Sequence, residues 1–110
     1  MKIDIFYKNI SSNTPLERFI EDKIGGLDKV LGNNKSSARV EIGLPSKHHR
    51  SGRIYYAEVN LKMGGALLRA TCQHDDMRKA IVDVKNELYV QINKFKEKRK
   101  DLSRKASRVK

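Results

Sequence analysis

The sequence predicts an α+β domain of order β-α-β-β-β-α, a four-stranded mixed sheet with two helices on one face. Three observations carry that prediction. Apolar residues at three- and four-residue spacing mark two helices, and four stretches of period-two alternation mark strands. A strand joined to the next through a helix makes a parallel pair with a right-handed crossover, whereas the later strands can form an antiparallel meander. At 110 residues the chain supports one modest core without metals or disulfides.

Over residues 2–8, Ile3, Ile5 and Tyr7 alternate with Asp4, Phe6 and Lys8, a first strand with a somewhat apolar second face. A helix start follows, with Thr14 as N-cap, Pro15 at the first helical position and Glu17 placed to close a capping box. Leu16, Ile20, Ile24, Leu27 and Leu31 form its stripe, Phe19 lies beside it, and Gly32-Asn33-Asn34 ends it. Gly25-Gly26 weakens this helix by ~1 kcal/mol per glycine relative to alanine. A close helix–sheet or helix–RNA approach would explain the pair, and so would simple tolerance.

Ala38, Val40, Ile42 and Leu44 alternate with Arg39, Glu41 and Gly43 as a second strand, and residues 45–52 (PSKHHRSG) read as a polar, basic turn. Tyr55, Ala57, Val59, Leu61 and Met63 define a third strand, Gly64-Gly65 a two-residue hairpin turn, and Leu68, Ala70 and Cys72 a fourth strand. The opposite face, with Glu41, Glu58, Asn60, Lys62, Arg69 and Thr71, is polar enough to meet water.

The second helix, within residues 73–100, is the strongest local signal. Met77, Ile81, Val84, Leu88, Ile92 and Phe95 share one stripe, Asp75 and Asp76 suit its N-terminus, and Lys94, Lys96, Lys98, Arg99 and Lys100 suit its C-terminal end. Residues 75–100 would run ~39 Å at ~1.5 Å per residue. From about Lys98 onward the apolar content is too low to fold alone. The expected division is a folded domain, 1–98, and a disordered basic tail, 99–110.

The formal charge is +11, and residues 94–110, with nine basic and two acidic side chains, carry +7 of it. Such a field attracts polyanions, nucleic acid before membrane. A membrane-surface helix would need large apolar residues opposite the charges, yet beyond Phe95 the tail offers only Leu102, Ala106 and Val109. Cys72 is the single cysteine, which excludes an internal disulfide and a thiolate cluster and suits a small buried hydrophobe. Asp4 interrupts any apolar leader, no run approaches membrane-spanning length, and a cytoplasmic location is expected.

The histidines do not form a catalytic set. Cleavage at a ribose 2′-hydroxyl needs an acid and a base across one phosphate, whereas His48 and His49 are neighbours in a turn and His74 precedes a helix. Adjacent histidines without a carboxylate at ligand spacing also make a poor metal site. No catalytic residue, metal or cofactor is therefore expected. The remaining chemistry is phosphate neutralisation by Lys23 and Lys29 on the first helix and Lys79, Lys85, Lys94, Lys96, Lys98, Arg99 and Lys100 on the second. These two helices would form one cationic surface. Exposed aromatics are few, mainly Tyr56 and Tyr89, so phosphate and shape recognition of folded RNA fits better than base stacking.

His74-Asp75-Asp76-Met77, Ala80-Ile81, Leu88, Gln91-Ile92 and Lys94-Phe95-Lys96, with Asp22-Lys23 and Leu27-Asp28-Lys29, resemble the ribosome hibernation-promoting factors, also called ribosome-associated inhibitor A or sigma-54 modulation proteins. The resemblance covers about residues 1–100. It implies a fold like a double-stranded-RNA-binding domain and a short form lacking the dimer-forming second domain of the long forms. It also implies a translation inhibitor, monomeric off the ribosome, that binds 16S ribosomal RNA near the decoding region of 30S and 70S particles. There it would block mRNA and tRNA sites and protect idle, stationary-phase ribosomes under stress. Family basic positions fall on Lys23, Lys29, Lys94, Lys96 and Lys98. Arg78 stands where the family usually has tyrosine, and Glu87 and Val90 where Lys and Arg are common, so the basic tail is expected to compensate. The competing readings are a general double-stranded-RNA binder or RNA chaperone, and an RNA-cleaving toxin dependent on the histidines.

Overall fold

Alternating apolar residues build one sheet, and two amphipathic segments cover one side of it. In the computed structural model, which describes residues 1–32, 35–45 and 54–108 (backbone only for 100–108), the elements run β1 (Lys2–Lys8), α1 (Thr14–Gly25), α2 (Asp28–Leu31), β2 (Ser36–Gly43), β3 (Tyr55–Met63), β4 (Ala66–His74) and α3 (Met77–Arg108). Asn33, Asn34, His48 and His49 lie outside the described residues. The sheet order is β1-β2-β3-β4. β1 pairs with β2 in parallel, and β2–β3 and β3–β4 are antiparallel, as the connections predict.

Register makes the two faces explicit. Ile5, Val40, Val59 and Ala70 form one cross-strand row beneath the helices, and Phe6, Glu41, Glu58 and Thr71 form the neighbouring row on the open face. The core joins Leu16, Ile20 and Ile24 of α1, Leu27 and Leu31 around α2, the inward residues of β2 and β3, and Ile81, Val84, Leu88 and Ile92 of α3. Among the described residues no polar or charged side chain is buried, so burial here is almost wholly hydrophobic transfer.

The first helix departs from expectation at both ends. Asn13, not Thr14, is the N-cap: its side chain accepts from the Leu16 N–H at 3.0 Å. Glu17 consequently closes no capping box and instead accepts the Tyr7 hydroxyl at 2.8 Å, tying α1 to β1. At Gly25-Gly26 the single helix expected from sequence divides into α1 and α2. There the Leu27 N–H bonds Ile24 O at 3.0 Å, a three-residue reach that tightens the turn. Leu27 and Leu31 are each 1 % exposed, so the break keeps the stripe on the core.

Two glycines in the sheet have different reasons. Gly64 takes a φ of 59° in the β3–β4 hairpin, where such a turn requires it. At Gly43 the constraint is space: a Cβ there would lie 1.9 Å from Lys8 O, because β1 and β2 converge where Leu44 N–H bonds that same carbonyl at 3.0 Å.

Asp76 caps α3 through Oδ1, which accepts from Arg78 N–H at 2.9 Å. The helix then runs 32 residues, roughly 48 Å, and gives the molecule its extents of 62 × 26 × 18 Å. The second helix was expected to lie within residues 73–100, and its backbone stays helical to Arg108. Lysine, arginine, leucine and alanine are good helix formers, and cations suit a helix C-terminal end. Helical propensity thus persists where apolar content fails.

Candidate nucleic-acid interface

The α1–α2 break creates a cleft. Glu21, Asp22, Lys23, Gly25, Gly26 and Lys29 line one side and Lys85 of α3 the other, around a volume of about 620 Å³. Lys23 leans back on the helix: its Nζ lies 3.9 Å from Asp22 and 5.6 Å from the Phe19 ring centre. Lys29 is exposed at the start of α2, and Lys85 is half-buried on the flank of α3 that faces it. Three of the lysines expected from sequence therefore meet in one place.

The others do not all join them. At ~100° per residue, Arg78, Lys85 and Lys96 share the α3 flank that packs toward α1 and α2. Consistent with that phase, Lys96 Nζ donates to Val30 O at 2.8 Å and closes the end of α2. Lys94 and Lys98 fall on the opposite flank with Gln91, whose Nε2 donates to Arg69 O of β4 at 2.9 Å. Lys79 lies further toward the start of α3, beside Arg78, Phe19 and His74. Arg99 is exposed, its guanidinium 5.7 Å from the Phe95 ring centre. Lys100 is within α3, and its side chain is outside the described residues. Among the described side chains, the expected basic residues thus divide between a cleft holding Lys23, Lys29 and Lys85, which Glu21 and Asp22 also line, and separate flanking charges.

Two residues change status. Arg78, read from sequence as a weakening departure, lies with its guanidinium 5.1 Å from the Phe19 ring centre, bordering the same interhelical face as Lys23. Its signal in the sequence was only a positive charge one position past Met77. Tyr56, expected to be exposed, is 8 % exposed, and Tyr89 and Phe6 are the exposed aromatic rings at 46 % and 42 %. Burial chiefly, with Glu41 close enough to accept its hydrogen bond, pushes the Tyr56 phenol up to about 12.

Elsewhere the open sheet face satisfies itself: Arg69 pairs with Glu58, and the Arg39 guanidinium sits 4.4 Å from the Phe6 ring centre. Burial raises the Cys72 thiol above its ordinary range, away from the reactive thiolate. Among the described residues no group of three His, Cys, Asp or Glu is placed to hold a metal, and no helix is long and apolar enough to cross a membrane.

Residues 3–100 match the family model described as sigma 54 modulation protein / S30EA ribosomal protein. The chain belongs to this family. Its S30EA-family sequence is 30% identical over 91 residues to a ribosome hibernation promotion factor of Deinococcus radiodurans, covering 81% of this chain and 46% of that protein. The chain thus spans about half the length of that curated relative. Among solved structures, the fold matches the N-terminal domain of Thermus thermophilus Protein Y with a TM-score of 0.75 at 23% identity, covering 86% of this chain and 99% of that one. A ribosomal subunit interface protein from Coxiella burnetii matches with a TM-score of 0.74 at 18% identity, covering 88% and 99%. These likenesses establish the α+β fold.

Proposed function

We propose that this S30EA-family chain binds the small ribosomal subunit through the cleft between α1–α2 and α3 and holds idle ribosomes out of translation. The observation that carries the reading is the convergence of Lys23, Lys29 and Lys85 on one cleft in a chain of this family. Phosphates of folded RNA are the natural occupants of such a site, since each neutralised phosphate releases condensed counterions. The names borne by the D. radiodurans and C. burnetii relatives, hibernation promotion and subunit interface, support the ribosome as the source of that RNA. In the finer form of the proposal the contact is with 16S ribosomal RNA near the decoding region, where the bound protein occupies space needed by mRNA and tRNA. It acts in the cytoplasm, without catalysis or cofactor, as a monomer off the ribosome.

The test is sedimentation of stationary-phase extract through sucrose gradients at two salt concentrations. Comigration with 30S and 70S particles that weakens as salt rises is the expected result. Protein that stays at the top of the gradient at low salt, yet binds free RNA duplexes, would replace this reading with that of a general duplex binder.

A further inference from the structure

We propose that a depression beside the cleft, at the start of α3, receives one unpaired nucleobase of the bound RNA. It is lined by Phe19, His74, Arg78, Lys79, Val82 and Asp83, with a volume of about 220 Å³. The site deepens the reading above and rests on it.

The lining discriminates between a phosphate and a base. Phe19 and Val82 give it an apolar floor, and Asp83 is exposed at its edge. A phosphate there would meet Arg78 and Lys79 but would leave the apolar carbon of Phe19 and Val82 unused and lie against the Asp83 carboxylate. A base presents a flat apolar face to the floor and its polar edge to side chains. Arg78 supplies the platform: its guanidinium, held 5.1 Å from the Phe19 ring centre, is a planar cation of the kind on which RNA bases stack. For the base edge, Asp83 offers an acceptor. His74 directs Nδ1 at the Asp75 carboxylate, 2.6 Å away, which leaves Nε2 as its ring nitrogen for a ligand. These groups favour a base with an exocyclic amine.

The depression also continues the interface. Phe19 is shared, because the same ring that carries Arg78 lies 5.6 Å from Lys23 Nζ, and Lys23 lines the phosphate cleft. A strand whose backbone follows Lys23, Lys29 and Lys85 can therefore turn one base onto Arg78, with Lys79 beside it for the next phosphate.

The test is NMR titration of the full chain with GMP, AMP, CMP and UMP against ribose 5-phosphate, read at the Val82 methyls and the His74 ring. Expected are shifts with the amine-bearing nucleotides, smaller ones with UMP and none with ribose 5-phosphate. Arg78→Lys keeps the charge but loses the plane, and should weaken GMP binding by roughly fivefold or more at an unchanged thermal midpoint. Equal shifts with ribose 5-phosphate, or full GMP affinity in R78K, would overturn the proposal. Wild-type protein that comigrates with ribosomes but shows no base-dependent shift sinks the base site alone. Base-dependent shifts without comigration support the site and sink the ribosome reading.

Discussion

Tyr56 is the residue whose environment most alters its chemistry. Its folded-state pKa of about 12 lies above the unfolded value of about 10, so the folded protein holds the phenolic proton more tightly. The resulting stabilisation is fully present below about pH 10 and is lost as pH rises toward 12. Denaturant midpoints measured at pH 8, 10 and 11 should fall less steeply for Tyr56→Phe than for the native chain; parallel curves would contradict this. Gly43 and Gly25 predict opposite signs. Gly43→Ala drives a methyl onto the Lys8 backbone, which cannot rotate away, and should cost about 1–3 kcal/mol or more in urea unfolding. Gly25→Ala meets only Ile3 Cδ1 at 3.9 Å, an ordinary contact, and should raise stability by about 0.5–1 kcal/mol. A loss there would show that the α1–α2 break needs glycine.

Among elements, α3 decides which charges act together. Lys85 faces the cleft with Lys23 and Lys29, whereas Lys94 and Lys98 ride the flank held to β4 through Gln91. Ribosome affinity measured by pelleting across a salt series separates them. Replacing Lys23, Lys29 and Lys85 by alanine should flatten the log-affinity against log-salt slope by about two to three units, at roughly one per phosphate contact. Lys94→Ala with Lys98→Ala should flatten it less. A larger effect from the second pair would move the interface to the β4 side.

For the whole molecule, the question is what the projecting end of α3 contributes. Among the described side chains Phe95 is the last packed against the core, while residues 100–110 add five basic and one acidic side chain. A chain ending at residue 99 should unfold within about 0.5 kcal/mol of the full one, yet bind ribosomes more weakly and with a shallower salt dependence. A large loss of stability would make the extension part of the fold. The polarity of each sheet face and the α3 stripe were legible in the sequence because each depends on a local period, two for a strand and 3.6 for a helix, and strand order was legible because it follows from the connections. The site was legible only as a set of charges. Periodicity says which side of an element faces inward, but not which neighbour it meets there. Packing decided that Glu17 accepts from Tyr7 instead of closing a capping box, that the helix breaks at Gly25-Gly26 with Leu27 and Leu31 on the core, and that Arg78 rests on Phe19. Each of those outcomes depends on residues distant in sequence competing for one surface, and that competition exists only once the sheet and its helices are assembled.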